Sequence, residues 1–188
     1  MLPTPHHVYV PHAAGASAAA APARHVLSIL DLSSGEVEEL CARALELERD
    51  VRPAHTLRGC TVGVYFRKTS TRTRTAFMVG AARLGAHLVT FGPDDLQINT
   101  GETPADTARV LAGYLDVLVM RTNEGVDEMR AFARQPGLAV VNALSAEEHP
   151  TQALADLSAL RGHFGCLEGL DILYCGEVTR PRRRWRWR

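Results

Sequence analysis

The feature of this sequence that most constrains its fold is a regular alternation of short apolar runs with longer segments of helical periodicity. The runs are five or six residues long and rich in Val, Leu, Ile and aromatic residues. Runs that are apolar throughout are typical of strands buried on both faces, and helices between such strands form right-handed crossovers. The pattern predicts an α/β fold, a parallel sheet with helices on both faces built from βαβ units. The predicted strands are 61–66, 86–91, 116–120, 138–143 and 170–175.

The segments between these runs predict helices. Ser33 and Glu36 have the spacing of a capping box ahead of an apolar stripe at every third or fourth position. Pro104 and Pro150 are placed where proline is favoured, in the first turn of a helix. The predicted helices are 33–50, 71–84, 104–115, 124–135 and 150–163.

Length and composition bound the class of protein. The 188 residues suffice for one domain of ordinary size but not for two complete ones. No apolar run approaches the roughly 20 residues that span a bilayer. The cysteines lack CxxC spacing, which predicts free thiols in a reducing compartment and a cytoplasmic protein. They are Cys41, Cys60, Cys166 and Cys175.

The charge distribution is uneven although the net charge is zero. Six of the 21 basic residues lie in the last nine positions, which leaves 15 basic residues against 21 acidic ones elsewhere. An acidic body does not favour a nucleic-acid-binding surface on the folded part. Residues 1–24 are rich in Ala, Pro and His, and we predict a disordered extension there. A signal peptide is the alternative, but a basic n-region is missing.

Polar residues capable of holding an anion follow the first predicted strand. Ser70, Thr71, Arg72 and Thr73 begin a helix, where unpaired N–H groups and the positive end of the helix dipole favour a phosphate. Arg72 can bind two oxygens at once. The alternative is a capped helix with a solvated basic face. The pattern is not a P-loop, because the GxxxxGK[ST] glycines are absent.

Two further groups of candidate residues follow later strands, at the edge of the sheet where the carboxyl ends of parallel strands meet. Arg121 directly follows the third strand and is either a second anion ligand or a surface charge. His149 and Gln152 flank the first turn of the helix that begins at Pro150. Histidine can donate a proton or hydrogen bond to a carbonyl oxygen, and glutamine can bind an NH2 group.

STRTR after a strand, the strand-end arginine and HPTQALADL, in this order and at these separations, resemble the carbamoyl-phosphate-binding domain of the aspartate/ornithine carbamoyltransferase family. The likeness covers about residues 25–175. It is greater to the ornithine enzymes, because of Lys68, GPDDLQINTGETPADTARVL and EEHPTQALADL. The aspartate enzymes usually have Glu-Pro before STRTR and a lysine in the loop after the second strand, which PDDLQINTGE lacks.

The resemblance implies a role for each matching residue. Ser70, Thr71, Arg72 and Thr73 would hold the phosphate, Arg121 would bridge phosphate and carbonyl, His149 would donate to the carbonyl oxygen, and Gln152 would hold the carbamoyl amide. Gln97 is a weaker candidate, because the family's loop at this place reaches into a neighbouring subunit's site, which implies a homotrimer. Asp106, Thr107 and Arg109 also match, but structural roles in their helix explain them equally well.

The implied reaction is transfer of the carbamoyl group of carbamoyl phosphate to an amino-acid amine, with ornithine favoured, as in arginine biosynthesis. Arg72, Thr73, Arg121 and His149 are the expected catalytic residues, since preorganised donors stabilise the negative charge that develops on the carbonyl and phosphate oxygens. No metal or organic cofactor is called for. The alternatives are aspartate or another amine as substrate, or a non-catalytic anion-binding module that joins the trimer of a full-length homologue.

The resemblance also divides the chain. Residues 25–164 correspond to the carbamoyl-phosphate-binding domain, and residues 165–188 to the truncated start of the amino-acid-binding domain with an Arg/Trp tail, RPRRRWRWR. Arg and Trp could bind an anionic membrane or nucleic acid. We favour instead a tail translated out of frame after a truncation, and therefore expect little turnover by this chain alone.

Overall fold

The structure is a computed structural model and describes residues 23–49, 55–122 and 124–172. Within these ranges there are four strands, five α-helices and two short 3-10 helices, Ile29–Asp31 and Gln97–Thr100. The strands are β1 (Thr61–Phe66), β2 (His87–Phe91), β3 (Val117–Arg121) and β4 (Ala139–Leu144). The α-helices are α1 (Ser34–Arg49), α2 (Thr71–Arg83), α3 (Pro104–Ala112), α4 (Asp127–Ala133) and α5 (Pro150–Phe164).

The four strands form one parallel sheet in the order β2-β1-β3-β4. The chain therefore moves outward from β1 to one side, returns to place β3 beside β1, and then moves outward to the other side. Beyond β4, Val26 forms a parallel bridge with Val141. The carboxyl ends of all four strands lie on one edge of the sheet, and β1 and β3 flank the point at which the strand order reverses.

The sheet is covered on both faces. On one face Tyr65 and Met120 pack with Phe132 of α4 and Leu111 of α3. On the other face Val64 and Phe66 pack with the partly buried Phe77 of α2. Because neighbouring residues of a strand point to opposite faces, a strand such as β1 must be apolar throughout, as its sequence is. The predicted α/β fold class is confirmed.

A third cluster joins the two helices that lie farthest apart in the sequence. Val37 and Cys41 of α1 pack with Leu157 of α5, and Ile29 and Leu167 complete the cluster. Arg161 of α5 also pairs with Glu38 of α1. These contacts hold the N-terminal helix against α5.

The first four predicted strands are present: β1 has the predicted ends, and the ends of the other three differ by at most one residue. The fifth, 170–175, is wrong over residues 170–172, which are not in a strand; the amide of Leu170 donates to the Leu167 carbonyl in a turn. Residues 173–175 lie outside the described residues, as do 1–22 of the predicted extension and the Arg/Trp tail.

Helix α4 begins at Asp127, later than predicted, because the preceding residues bond to the loop after β4. No helix of the described ranges is long and apolar enough to cross a membrane.

The predicted capping box at the start of α1 is present. The Ser33 amide and hydroxyl both donate to the Glu36 carboxylate, the Glu36 amide donates back to the Ser33 hydroxyl, and Arg24 pairs with the same carboxylate. The backbone and side-chain hydrogen bonds from Ser33, and then Arg24, lower the pKa of Glu36 from its usual 4.5 to about 2.

This lowered pKa predicts an acid-dependent contribution to stability. A carboxyl whose pKa is lower in the folded than in the unfolded state stabilises the fold above its unfolded pKa, and the contribution is lost as the pH falls towards 2. We expect Glu36→Gln to be less stable than the unsubstituted protein at pH 7 and the difference to shrink as the pH falls from about 4.5 towards 2, measured by denaturant unfolding. Glu39→Gln, at an exposed position of the same helix, should follow the unsubstituted protein at every pH. Parallel curves for Glu36→Gln and the unsubstituted protein would contradict the assignment.

Candidate functional site

A cleft of about 610 Å³ opens at the carboxyl edge of the sheet, where β1 and β3 flank the reversal in strand order. Its lining comes from the first two turns of α2 and α5, with the residue before α5, and from the ends of β3 and β4. The lining residues are Arg72, Thr73, Ala76, Phe77, Arg121, Leu144, His149, Thr151, Gln152 and Ala155. In parallel α/β sheets this is the place at which ligands bind.

Ser70 and Arg121 are held together across the strand reversal. The Arg121 side chain donates from Nη1 to the Ser70 hydroxyl over 2.7 Å, and the Arg67 amide donates to the Arg121 carbonyl over 3.0 Å. A hydroxyl that accepts from arginine keeps its own hydrogen for donation. The loop after β1 and the end of β3 therefore form one preorganised donor group.

The start of α2 brings a second group of donors. Thr71 is the first residue of the helix, and the Ser70 side chain, which occupies the N-cap, makes no capping hydrogen bond. The amides of the first turn thus have no side-chain acceptor at the N-cap and are available to an anion. Arg72 and Thr73 from this turn line the cleft.

His149 caps helix α5 with its ring. Nδ1 lies 3.3 Å from the Gln152 amide and accepts from it, and the Thr151 hydroxyl lies at the same distance. A neutral imidazole that accepts at Nδ1 carries its hydrogen on Nε2. The cap therefore selects the tautomer in which the other ring nitrogen is a donor, the form that a hydrogen bond to a carbonyl oxygen requires.

Gln152 is also oriented by a neighbour on its own helix. Its Nε2 donates to Asp156 Oδ1 over 2.8 Å. With the amide nitrogen directed to Asp156, the carbonyl oxygen of the side chain is the atom suited to accept from an NH2 group. This orientation fits the role that the sequence resemblance implies.

The cleft has a pronounced positive character. Two helix N-termini, those of α2 and α5, lie at it together with Arg72 and Arg121. Among the described residues that line it there is no carboxylate. Cations and helix N-termini in this arrangement stabilise an anionic ligand, and hydroxyls and the histidine add hydrogen-bond donors.

The structure brings most of the predicted site residues together. Of these, Arg72, Thr73, Arg121, His149 and Gln152 line the cleft, and Ser70 joins it through Arg121. Gln97 does not: it lies on the exposed 3-10 helix after β2, where its side-chain oxygen accepts from the Thr100 hydroxyl.

Sequence reasoning missed several apolar and small residues of the lining. Ala76 and Phe77 lie one turn beyond Arg72 and Thr73, and Ala155 lies three residues beyond Gln152, so helical spacing could have identified them. Leu144 carries no such signal, because it reaches the cleft through an irregularity in the pairing of β3 with β4.

The matching residues of helix α3 have structural contacts. The Thr103 hydroxyl caps the helix by accepting from the Asp106 amide, Arg109 pairs with Asp106, and the Thr107 hydroxyl donates to Glu102. Together they fasten the loop after β2 to α3. The structural reading of these residues is therefore supported by their contacts.

A partly buried ion pair lies on the α4 side of the same strand ends. Arg67 donates from Nη1 to Glu128 Oε2 over 3.0 Å, and the Thr122 hydroxyl lies 3.4 Å from the same oxygen. The Glu128 side chain is 9% exposed. The pair ties the residue after β1 to α4 and to the residue after β3. Burial first, and then the negative charge of Glu128, raise the pKa of the neighbouring Tyr65 hydroxyl.

Fold and cleft together define a parallel α/β domain with a positively charged cleft at the point where its strand order reverses. Comparison with known proteins identifies the particular family. The domain described as "Aspartate/ornithine carbamoyltransferase, carbamoyl-P binding domain" matches residues 24–162. The chain belongs to the aspartate/ornithine carbamoyltransferase family.

Individual relatives agree with this assignment. Ornithine carbamoyltransferase of Methanoculleus marisnigri is 42% identical over 164 residues, which are 85% of this chain and 52% of the relative. The crystal structure of anabolic ornithine carbamoyltransferase from Campylobacter jejuni is 36% identical, with a TM-score of 0.71 over 78% of this chain and 47% of that one.

Aspartate transcarbamoylase of Trypanosoma cruzi, in complex with N-(phosphonacetyl)-L-aspartic acid, is 31% identical with a TM-score of 0.69. The match covers 77% of this chain and 46% of that one. The chain spans about half the length of the curated relatives it matches.

The Arg67–Glu128 pair predicts a stability effect without any ligand. We expect Glu128→Ala to lower the free energy of unfolding by about 1–3 kcal/mol, because it leaves Arg67 without its carboxylate in a partly buried place. Denaturant unfolding measures this. Asp127→Ala is the matched control: the neighbouring side chain is 88% exposed and pairs with Arg130 within α4, so we expect a change within about 0.5 kcal/mol. Equal effects of the two substitutions would contradict the structural role of the pair.

Proposed function

We propose that this chain forms the carbamoyl-phosphate half-site of an ornithine-type carbamoyltransferase. The observation that carries the proposal is that Arg72, Thr73, Arg121, His149 and Gln152, from three separate parts of the sequence, line one cleft. Residues 25–164 form the carbamoyl-phosphate-binding domain, and a second domain supplies the amine site. Ornithine is favoured as the amine because the curated relatives are named ornithine carbamoyltransferases.

Different groups of the cleft bind the phosphate, the carbonyl oxygen and the NH2 group of carbamoyl phosphate. Arg72, the first-turn amides of α2 and the hydroxyls of Ser70 and Thr71 hold the phosphate, and Thr73 lies between phosphate and carbonyl. Arg121 and the Nε2–H of His149 donate to the carbonyl oxygen. The side-chain oxygen of Gln152 accepts from the carbamoyl NH2. The tautomer of His149 and the orientation of Gln152 support these two assignments.

The reaction needs charge stabilisation more than proton transfer by the protein. The amine nitrogen of the acceptor attacks the carbamoyl carbon, and a C–N bond forms while the bond from that carbon to the phosphate oxygen breaks. Phosphate departs with the electron pair and takes up the proton that the neutral amine loses. Negative charge first grows on the carbonyl oxygen, where Arg121 and His149 donate, and then on the departing phosphate, where Arg72 and the start of α2 donate.

A homotrimer is part of the same proposal. Helix α2 has no buried residue, and Val79 of this helix and Val89 of the edge strand β2 are exposed. The loop with Gln97 leaves the carboxyl end of β2 at that edge, where it could reach a neighbouring chain's cleft. Exposed apolar residues beside such a loop support an interface there. A cytoplasmic location and a role in arginine biosynthesis also belong to the proposal; the free thiols of Cys41, Cys60 and Cys166 fit a reducing compartment.

Calorimetric titration with carbamoyl phosphate tests the half-site. We expect the unsubstituted chain to bind and Arg72→Ala to lose affinity by about 10- to 100-fold, because a hydrogen-bonded cation contributes about 1.5–3 kcal/mol. Arg83→Ala, at the exposed far end of the same helix, should bind within about twofold of the unsubstituted chain. A folded, unsubstituted chain that does not bind would refute the proposal. Binding without turnover when ornithine is added is the result expected of a chain that carries the carbamoyl-phosphate half-site alone.

Light scattering tests the oligomeric state. We expect a mass three times that of one chain, and we expect Val79→Glu to reduce it because the substitution buries a charge in the proposed interface. Val110→Glu places the same charge at an exposed valine on α3, on the other face of the sheet, and should leave the mass unchanged. A single-chain mass for the unsubstituted protein at all concentrations would contradict the trimer.

A further inference from the structure

The side chain of Asn142 is a fully buried polar group that the proposed chemistry does not use. It lies on β4, two residues before the strand ends, and contacts the end of its own strand, the loop after it and the N-terminal segment. Nδ2 donates to the Leu27 carbonyl over 2.8 Å and lies 3.4 Å from the Ser145 hydroxyl, and Oδ1 accepts from the Leu144 amide over 2.9 Å. A buried amide costs free energy unless its groups are paired, and here both ends are.

The hydrogen bond from the Leu144 amide to Asn142 Oδ1 stabilises an irregularity in the sheet. Met120 is paired with Asn142, but the next residue of β3, Arg121, is paired with Leu144, so that Ala143 is an extra residue on β4. The Thr122 amide donates to the Leu144 carbonyl beyond the irregularity. Bulges of this kind change the direction of a strand end and occur beside active sites. Asn142 Oδ1 satisfies the Leu144 amide at the bulge.

The contact of Asn142 Nδ2 with the Ser145 hydroxyl connects the strand to the loop that carries His149. The Ser145 hydroxyl, next to Asn142 Nδ2, accepts from the Glu148 amide over 3.2 Å, and the Ser145 amide donates to the Glu148 carbonyl over 2.9 Å. These bonds close a tight turn that ends one residue before His149.

The hydrogen bond from Asn142 Nδ2 to the Leu27 carbonyl anchors the bulge and the turn to the N-terminal segment. Besides the bond from Nδ2 to Leu27, the backbone amide of Asn142 donates to the Val26 carbonyl. The Glu148 carboxylate accepts from the Ile29 backbone amide over 3.1 Å. The N-terminal segment is thereby bonded to β4 and to the loop after it. The Asn142 side chain thus contacts the bulge, the turn and the N-terminal segment at once.

We infer that Asn142 is a positioning residue that sets His149 and Gln152 relative to Arg121 and so determines recognition of the carbamoyl group. The inference rests on the proposed function. The loop after β1 and the start of α2 form the phosphate side of the cleft. Among the described residues, the side-chain hydrogen bonds of Asn142 go to Leu27, Leu144 and Ser145, and none of these lies on that side. Loss of the Asn142 hydrogen bonds should therefore weaken binding of the carbamoyl group selectively and leave phosphate binding largely intact.

The experiment compares two probes, inorganic phosphate and carbamoyl phosphate, by calorimetric titration of the full chain. The unsubstituted chain should bind carbamoyl phosphate more tightly than phosphate. Asn142→Leu, of similar volume but without the hydrogen bonds, should lose about tenfold in affinity for carbamoyl phosphate and less than about threefold for phosphate. Val140→Ala, two residues earlier on β4 and also fully buried, is the control: it should lower stability and keep the ratio of the two affinities.

A second variant covers the case in which Asn142→Leu does not fold. Ser145→Ala removes the hydroxyl that links Asn142 to the turn and should reduce the same ratio by a smaller factor. The inference is overturned if a folded Asn142→Leu protein keeps the ratio or loses affinity for both probes equally, and, where Asn142→Leu does not fold, if Ser145→Ala keeps the ratio. Failure of the proposed function is separate, because the unsubstituted chain would then show no preference for carbamoyl phosphate.

Discussion

The site depends on the adjacency of β1 and β3 in a parallel sheet. The chain leaves β1 towards β2 on one side and β3 towards β4 on the other, so the connections diverge and leave an opening between the two strand ends. The Arg67 amide and the Arg121 carbonyl close the base of that opening, and the Arg121 side chain reaches across it to Ser70. The remaining groups of the cleft are arranged around this connection.

The electrostatics of the strand ends are divided between the two faces of the sheet. On the α4 side the charge of Arg67 is paired with Glu128. On the α2 side Arg72 and Arg121 line a cleft that contains no carboxylate among its described lining residues, with two helix N-termini beside them. A concentration of positive groups disfavours the empty site and favours an anion, so part of the folding free energy is used to preorganise the donors. The hydrogen bond from Arg121 to Ser70 and the cap from His149 restrict side chains that would otherwise be free to turn away.

Much of the fold and part of the site could be predicted because they depend on neighbours in sequence. The apolar runs of β1 to β4, the capping box of Ser33 and the proline starts of α3 and α5 reflect local geometry, and the structure confirms them. The fifth predicted strand is wrong over residues 170–172, because strand propensity alone does not supply a partner strand; these residues follow a turn at 168–169 and are not in a strand. Gln97 lies outside the cleft of its own chain, where the loop after β2 folds onto α3 through Glu102 and Thr107; its role in a neighbouring subunit's site stays a prediction.

By itself the sequence determined the alternation of strands and helices, the two helix starts that carry anion-binding and donor residues, and the motifs that resemble the carbamoyltransferase family. These are properties of spacing and residue type over a few positions, and they do not change with what packs around them. Only the tertiary structure decided that β1 and β3 are neighbours, that a bulge brings Leu144 opposite Arg121, and that Asn142 joins β4 to the N-terminal segment. The physical reason is that each of these is a contact between residues tens of positions apart, and such contacts depend on the order of the strands and the register of their hydrogen bonds, which no local pattern encodes.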